Sequence, residues 1–204
     1  MSIKDHWENV YSTKEVTRVS WFQVKKKLSL KLICDLKLPK SASIIDIGGG
    51  VSTLIDELIH LRFCNLSVLD LSGAALNLNK KRLGEKADKV TWLEADVLDA
   101  NLPPQQFDLW HDRAVFHFLT SEECKARYVA KVKDSLKSGG YLIIATFAEE
   151  GPEKCSDLPV TRYNKAQLIK QFSPDFEIVQ SIKEDHLTPA QSVQKFIYCL
   201  FRRK

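Results

Sequence analysis

The chain has 204 residues, 44% of them hydrophobic and 27% charged, with a formal net charge of +4. That length suits one compact core and that composition excludes extensive disorder, while the mild positive balance, made partly by Lys25-Lys26-Lys27 and Arg202-Arg203-Lys204, is a solvated face and tail that demands no nucleic-acid partner. No apolar run approaches the roughly 20 residues of a bilayer crossing, and Lys4, Asp5, His6, Glu8 and Lys14 interrupt the opening residues, so neither signal peptide nor anchor is expected and the reading is of a soluble, cytoplasmic protein.

Leu28, Leu32 and Leu36, with Ile33 beside them, recur at helical spacing and predict a lead-in helix over residues 20 to 37. Ser43 to Ile47 is a short apolar run ending in three glycines, after which Leu54, Ile55, Leu58, Ile59 and Leu61 resume a helical period. Leu66 to Leu71 reads as a second strand, followed by a helix through Ala75, Leu76 and Leu83 that Gly84 ends, and Val90 to Leu93 as a third. Past the Pro103-Pro104 loop, Phe107 to Trp110 forms a fourth run, and Thr120 with Glu123 has the form of a capping box for a helix carrying Tyr128, Val132 and Leu136. Gly139-Gly140 turns the chain into Tyr141 to Phe147, the strongest strand and therefore central. Ala148 to Arg162 reads as a long polar loop, Asn164 with Gln167 opens a helix to Phe172, and Phe176 to Ile182 and Gln194 to Phe201 are closing strands.

Five strand-helix steps followed by two strands with no long helix between them predict a doubly wound α/β fold, a seven-stranded mixed sheet with an antiparallel C-terminal pair. One domain spans residues 1–204, with 1–40 an N-terminal covering segment and lead-in helix and 41–204 the core. Cys34, Cys64, Cys124, Cys155 and Cys199 are scattered without a C-x-x-C pair, which fits neither a disulfide framework nor a zinc module, and no metal is expected.

Ile44-Ile45-Asp46-Ile47-Gly48-Gly49-Gly50-Val51-Ser52 couples a strand to a glycine turn whose backbone can approach a ligand, with a helix start behind it. Asp46 would repel a pyrophosphate but can pair with an ammonium, and the glycine that a dinucleotide turn requires is Thr53 here, so a nicotinamide site is disfavoured. Val68-Leu69-Asp70-Leu71-Ser72 supplies an acid 70 − 48 = 22 positions after Gly48, close to the spacing of about 20 for a ribose-binding carboxylate. Glu94-Ala95-Asp96-Val97 ends the third strand, and Asp99 is the rival acid there.

In order and spacing these segments resemble the class I S-adenosylmethionine-dependent methyltransferases over about Ser41 to Phe147, including Lys137-Ser138-Gly139-Gly140 before the fifth strand. The family's third glycine is Ser52 here. The resemblance implies a Rossmann-like sheet and S-adenosyl-L-methionine as cofactor, held by Asp46 at the methionine ammonium, Gly48, Gly49 and Gly50 beneath it, Asp70 and Leu71 at the ribose, and Asp96 and Val97 at the adenine.

The resemblance also assigns the acceptor side to the N-terminal segment and to the loops after the fourth and fifth strands. His6-Trp7-Glu8-Asn9-Val10-Tyr11 with Val19-Ser20-Trp21-Phe22 resembles the entry segment of small lysine methyltransferases. There Trp7, Tyr11 and Trp21 either cover the sulfonium by cation–π attraction or cap the core. Trp110-His111-Asp112-Arg113 stands where base-methylating relatives carry Asn/Asp-Pro-Pro-Tyr, so methylation of a base amine is not expected. Asp112-Arg113 loosely matches the lysine methyltransferase form, which makes Asp112 and His111 the candidate catalytic residues and places Arg113 beside the cofactor.

Cys155, Arg162 and Tyr163 are the testable positions of the 148–163 loop. The function these residues imply is methyl transfer to an amine of a protein lysine or a small metabolite. Two alternatives stand beside it: a non-catalytic cofactor-binding module, and a thiol or metalloid methyltransferase using Cys155.

Overall fold

The computed structural model describes residues 2–13, 15, 17, 19–22 and 27–204. The chain divides into two compact units, Met1–Ala100 with Thr188–Gln191, and Asn101–Leu187 with Ser192–Lys204.

The first unit opens with α1 (Ile3–Thr13). Its start is reciprocally capped: the Asp5 N–H donates to the Ser2 hydroxyl at 3.1 Å and the Ser2 N–H donates to the Asp5 carboxylate at 2.9 Å. Those bonds take up donors that a helix start leaves over. The lead-in helix is shorter than its periodicity predicts. It runs as α2 (Lys27–Asp35), while Ser20 and Trp21 lie in a turn closed by the Phe22 N–H on the Val19 carbonyl, and residues 23–26 lie outside the described residues.

Next come β1 (Ser43–Ile47), α3 (Leu54–His60), β2 (Asn65–Asp70), α4 (Gly73–Leu83) and β3 (Val90–Glu94). The strands pair in parallel, β1 with β2 and β2 with β3, so that Ile47 lies opposite Leu69 and Asp70 opposite Glu94. All five residues of β1 are buried, as a parallel strand covered on both faces requires, and this is why Ile44, Ile45 and Ile47 show no alternation, with Asp46 the one charged residue among them. Gly84 stops α4 at φ +57°, as expected.

The second unit holds β4 (Phe107–Arg113), α5 (Glu122–Ser135), β5 (Leu136–Phe147), the short hairpin β6 (Lys154–Cys155) and β7 (Leu158–Pro159), α6 (Lys165–Phe172), β8 (Phe176–Leu187) and β9 (Val193–Arg203). β4 and β5 are parallel, and β9 is antiparallel to both β5 and β8. The seven long strands make one mixed sheet in the order β3-β2-β1-β4-β5-β9-β8, which is the doubly wound sheet with an antiparallel C-terminal pair that the sequence predicts.

Three local expectations change. The α5 cap is Ser121, whose hydroxyl accepts from the Cys124 N–H, not Thr120. Gly139-Gly140 is no turn between elements: α5 passes directly into β5, and the glycines form a bulge inside the strand, where Phe107 opposes Leu136 but Leu109 already opposes Tyr141. β4 continues past Trp110, so His111, Asp112 and Arg113 end a strand instead of opening a loop. The Asn164–Gln167 capping box of α6 is present as expected.

Residues 148–163 are tied down at both ends, with the Ala148 N–H on the Lys195 carbonyl at 2.9 Å and the Tyr163 N–H on the Phe147 carbonyl at 3.0 Å. No helix of the described residues is long and apolar enough to cross a membrane.

Candidate functional site

The site is built from the first unit. After β1 the chain turns sharply at Gly48, whose φ of +65° lies in the left-handed region and whose N–H donates to the Leu69 carbonyl at 2.7 Å. The next two positions have no room for a side chain. A Cβ at Gly49 would lie 2.4 Å from Asp46 Oδ2, and one at Gly50 would lie 2.5 Å from Ala75 Cβ and 2.6 Å from Asp70 Oδ2. The turn is therefore threaded between the two strand-end carboxylates, and only glycine lets the backbone pass.

Asp70 accepts the Gly50 N–H on Oδ2 and the Ser72 N–H on Oδ1, each at 2.9 Å. An ionised carboxylate has about four lone-pair sites, so roughly one remains on each oxygen, the complement of a ribose diol. Burial raises its pKa to about 6 despite those two bonds, with the charges of Asp46 and Glu8 adding to the rise. Three carboxylates close to one another, one costly to ionise, make a site that is relieved by a cationic ligand.

The turn is braced by two residues that the sequence reading did not identify. Asn79, buried in α4, donates its side-chain amide to the Gly49 carbonyl at 3.1 Å and the Ser52 carbonyl at 3.4 Å, and Arg82 donates to the Ser52 carbonyl at 2.9 Å. The signal was present: Asn79 sits three residues after Leu76 and four before Leu83, a polar residue on the helix's apolar stripe.

Beyond β3, the Ala95 N–H donates to the Asp70 carbonyl at 3.0 Å, which hangs the next segment on the end of β2. Asp96 opens a short turn there, its Oδ1 accepting the Leu98 N–H at 2.8 Å and its carbonyl the Asp99 and Ala100 N–H groups. The side chain of Asp96 is half-buried, Val97 is buried, Leu71 is half-buried and the rival Asp99 is exposed.

In the N-terminal segment Trp7 stacks on Tyr11 with ring centroids 6.0 Å apart, and Trp21 meets both edge-on. All three are half-buried. Glu8 of the same helix accepts the Gly73 N–H at 2.7 Å and the Ala74 N–H at 3.1 Å, capping α4 from 65 residues upstream.

The second unit holds the remaining candidates. Asp112 is fully buried at the end of β4, where it accepts the Tyr128 hydroxyl and the N–H groups of Val115 and Phe116. These bonds clamp a turn in which Ala114 has φ +72°, a conformation costing a non-glycine residue about 1–3 kcal/mol. Burial nevertheless pushes the Asp112 carboxyl up to about 6.

Arg113 is buried as well: its Nε donates to the Tyr198 hydroxyl at 2.9 Å, its guanidinium lies 4.3 Å from the Phe196 ring centroid, and Nη2 is 4.0 Å from Glu184. His111 is buried opposite Ile143. His117 accepts the Phe147 N–H on Nδ1 at 3.4 Å, and burial with the nearby Arg113 charge lowers its pKa to about 3, so the ring is neutral. The Cys155 thiol is pushed up to about 12 by burial. Arg162 ties the Gly151 carbonyl to Glu153, and Tyr163 stacks on Phe116 at 5.5 Å.

The structure thus brings Asp46, Gly48, Gly49, Gly50, Asp70, Leu71, Asp96, Val97 and the N-terminal aromatics into the first unit, and His111, Asp112 and Arg113 into the second. A glycine turn passing between strand-end acids on a doubly wound sheet suits a nucleoside-bearing ligand that carries positive charge.

A family model described as a methyltransferase domain matches residues 45–142. The EEF1A lysine methyltransferase 2 of Danio rerio is 26% identical over 196 residues, covering 89% of this chain and 78% of that relative. Among solved structures, a SAM-dependent methyltransferase of Anabaena variabilis superposes with a TM-score of 0.76 at 16% identity, covering 100% of this chain and 96% of the other. The 1,6-didemethyltoxoflavin-N1-methyltransferase of Burkholderia thailandensis, which contains S-adenosylhomocysteine, superposes with a TM-score of 0.73 at 16% identity, covering 99% and 87%. Residues 45–142 thus match a methyltransferase domain, and in sequence and fold the chain is similar to S-adenosylmethionine-dependent methyltransferases.

Proposed function

We propose that the chain is a class I S-adenosylmethionine-dependent methyltransferase that acts from the cytoplasm, as a single catalytic domain, on the side-chain amine of a lysine in a protein. Support for the acceptor is the 89% of the chain that aligns with a protein-lysine methyltransferase at 26% identity, together with the absence of Asn/Asp-Pro-Pro-Tyr at Trp110-His111-Asp112-Arg113.

The residues fit the cofactor. Asp46 takes the methionine ammonium, Gly48 to Gly50 let the backbone lie close, Asp70 accepts both ribose hydroxyls with Leu71 beside it, Asp96 accepts the adenine amine and Val97 flanks the ring. Trp7, Tyr11 and Trp21 cover the sulfonium side. The cofactor supplies an electrophilic methyl group on a cationic sulfur. The chain's task is to present a neutral amine in line with that methyl and to keep water away.

We assign the proton-accepting role to His111, the last strand position before Asp112. Asp112 is a positioning residue in this reading, because Tyr128, Val115 and Phe116 already occupy its oxygens and its negative charge is spent on the β4 exit turn. Arg113 is a positioning residue too, anchored to β9 through Tyr198 and Phe196 and facing Glu184 of β8. A thiol route through Cys155 has little support, since a thiol held near 12 is not a nucleophile at neutral pH.

Incubating the chain with radiolabelled S-adenosylmethionine and purified eEF1A tests this reading. Label recovered as methyl-lysine after digestion supports it. No label on eEF1A, with label on small molecules and none on protein when a cell extract replaces it, overturns the lysine assignment.

A further inference from the structure

Along α1, Lys4, Trp7, Glu8 and Tyr11 fall at i, i+3, i+4 and i+7 and therefore share one face of the helix. That face has two tethers within the first unit, one to the end of β3 and one to the start of α4. Lys4 pairs with Glu94 at 2.7 Å, but both side chains are about half exposed, and such pairs contribute little. Glu8 is different in kind. Its two oxygens take the Gly73 and Ala74 N–H groups, and with Ser72 on the Ala75 N–H the first three free donors of α4 are all satisfied. A carboxylate there also meets the positive end of the α4 dipole. Gly73 is three residues past Asp70, so the tether lands beside the carboxylate assigned to the ribose.

We propose that Glu8 is a positioning residue for cofactor binding, holding α1 across the first turn of α4 so that Trp7 and Tyr11 are kept over the ligand beside Asp70. The proposal rests on the assignment of the ribose to Asp70. It makes the N-terminal helix a fixed wall of the cofactor pocket, registered by one carboxylate, rather than a covering held by aromatic packing alone. Glu8 also adds to the raised pKa of Asp70, so the latch and the ribose carboxylate interact electrostatically. A merely structural cap does not predict that coupling.

The test titrates S-adenosylhomocysteine into the wild-type chain, E8Q and E8A between pH 5 and 8, following heat and tryptophan fluorescence, with melting curves of the free proteins alongside. Gln retains one of the two acceptor bonds and keeps the helix docked well enough to fold. In E8Q the dissociation constant at pH 7.5 rises about tenfold, as expected for loss of one charge-assisted bond. The midpoint of the acid loss of binding moves down by about half a unit, because Asp70 loses a like-charged neighbour. E8Q that binds with the wild-type constant and wild-type midpoint, whatever its melting temperature, overturns the latch. Failure of the wild-type chain itself to bind overturns the cofactor assignment and the latch with it, so the two failures are distinguished by the wild-type arm.

Discussion

Asp70→Asn separates what this carboxylate costs the free protein from what it contributes to binding. Its pKa moves from 3.8 to about 6, so at neutral pH the ionised form costs the free protein about 3 kcal/mol at 1.4 kcal/mol per unit. The sign follows from the direction of the shift. Below pH 3.8 the group is protonated folded or unfolded and no penalty exists; as pH rises through about 6 the folded state must ionise it, and stability is lost. Asn removes that loss but turns a donor toward one of two N–H groups, Gly50 or Ser72, which costs about 1–3 kcal/mol. The free variant should melt within a few degrees of the wild type at pH 7.5, with a flatter pH dependence between 4 and 7.

Cofactor binding should respond quite differently. Asn cannot accept both ribose hydroxyls, and two bonds to a charged acceptor at about 1.5–3 kcal/mol each predict a dissociation constant at least 100-fold weaker. Calorimetric titration with S-adenosylhomocysteine and thermal scans at pH 4.5 and 7.5 measure both halves. A variant that binds within threefold of the wild type, or one that simply fails to fold, refutes the reasoning.

Gly50→Ala should abolish cofactor binding and lower stability by about 2 kcal/mol, since its Cβ would stand 2.5 Å from Ala75 Cβ; titration and melting curves check it. Asn79→Ala leaves the Gly49 and Ser52 carbonyls short of a donor, so stability should fall by about 1–2 kcal/mol and cofactor affinity with it, as denaturant midpoints and titration will show. Tyr128→Phe deprives buried Asp112 of a donor, which should cost about 1–3 kcal/mol at pH 8 and less at pH 5, where the carboxyl, with its constant near 6, becomes protonated. Cys155→Ser should leave methyl transfer unchanged from pH 7 to 9, because its thiol is not ionised there; a profile that collapses would restore the thiol route.

The sheet was legible because its strands have different burial. β1, covered on both faces, is apolar but for Ser43 and Asp46, and the Asn164–Gln167 capping box and Gly84 mark helix ends by local chemistry alone, whereas Thr120 with Glu123 points one residue short of the Ser121 cap. What depends on long-range pairing was hidden. The β5 bulge arises only because α5 feeds the strand without a loop, and the reach of β4 to Arg113 arises only because its polar residues are paired with buried partners such as Tyr128 and Tyr198.

The carboxylates at the ends of β1 and β2 could be placed from strand ends and spacing, whereas Glu8 could not. Its partners are 65 residues away, and nothing in its neighbourhood distinguishes it from a solvated helix charge. Asn79 lies between these cases, betrayed only by a polar residue on an apolar stripe. Asp112 and Arg113 were identified as an acid and a base at a strand end, but their buried hydrogen bonds, which give them structural duties, are invisible without the fold.

The most direct measurement is a crystal structure of the chain with S-adenosylhomocysteine. The account predicts both ribose hydroxyls on Asp70, the ammonium facing Asp46, the backbone of Gly48 to Gly50 against the ligand and Trp7 with Tyr11 over its sulfur. A ligand whose ribose lies away from Asp70, or whose amino group is remote from Asp46, would contradict it.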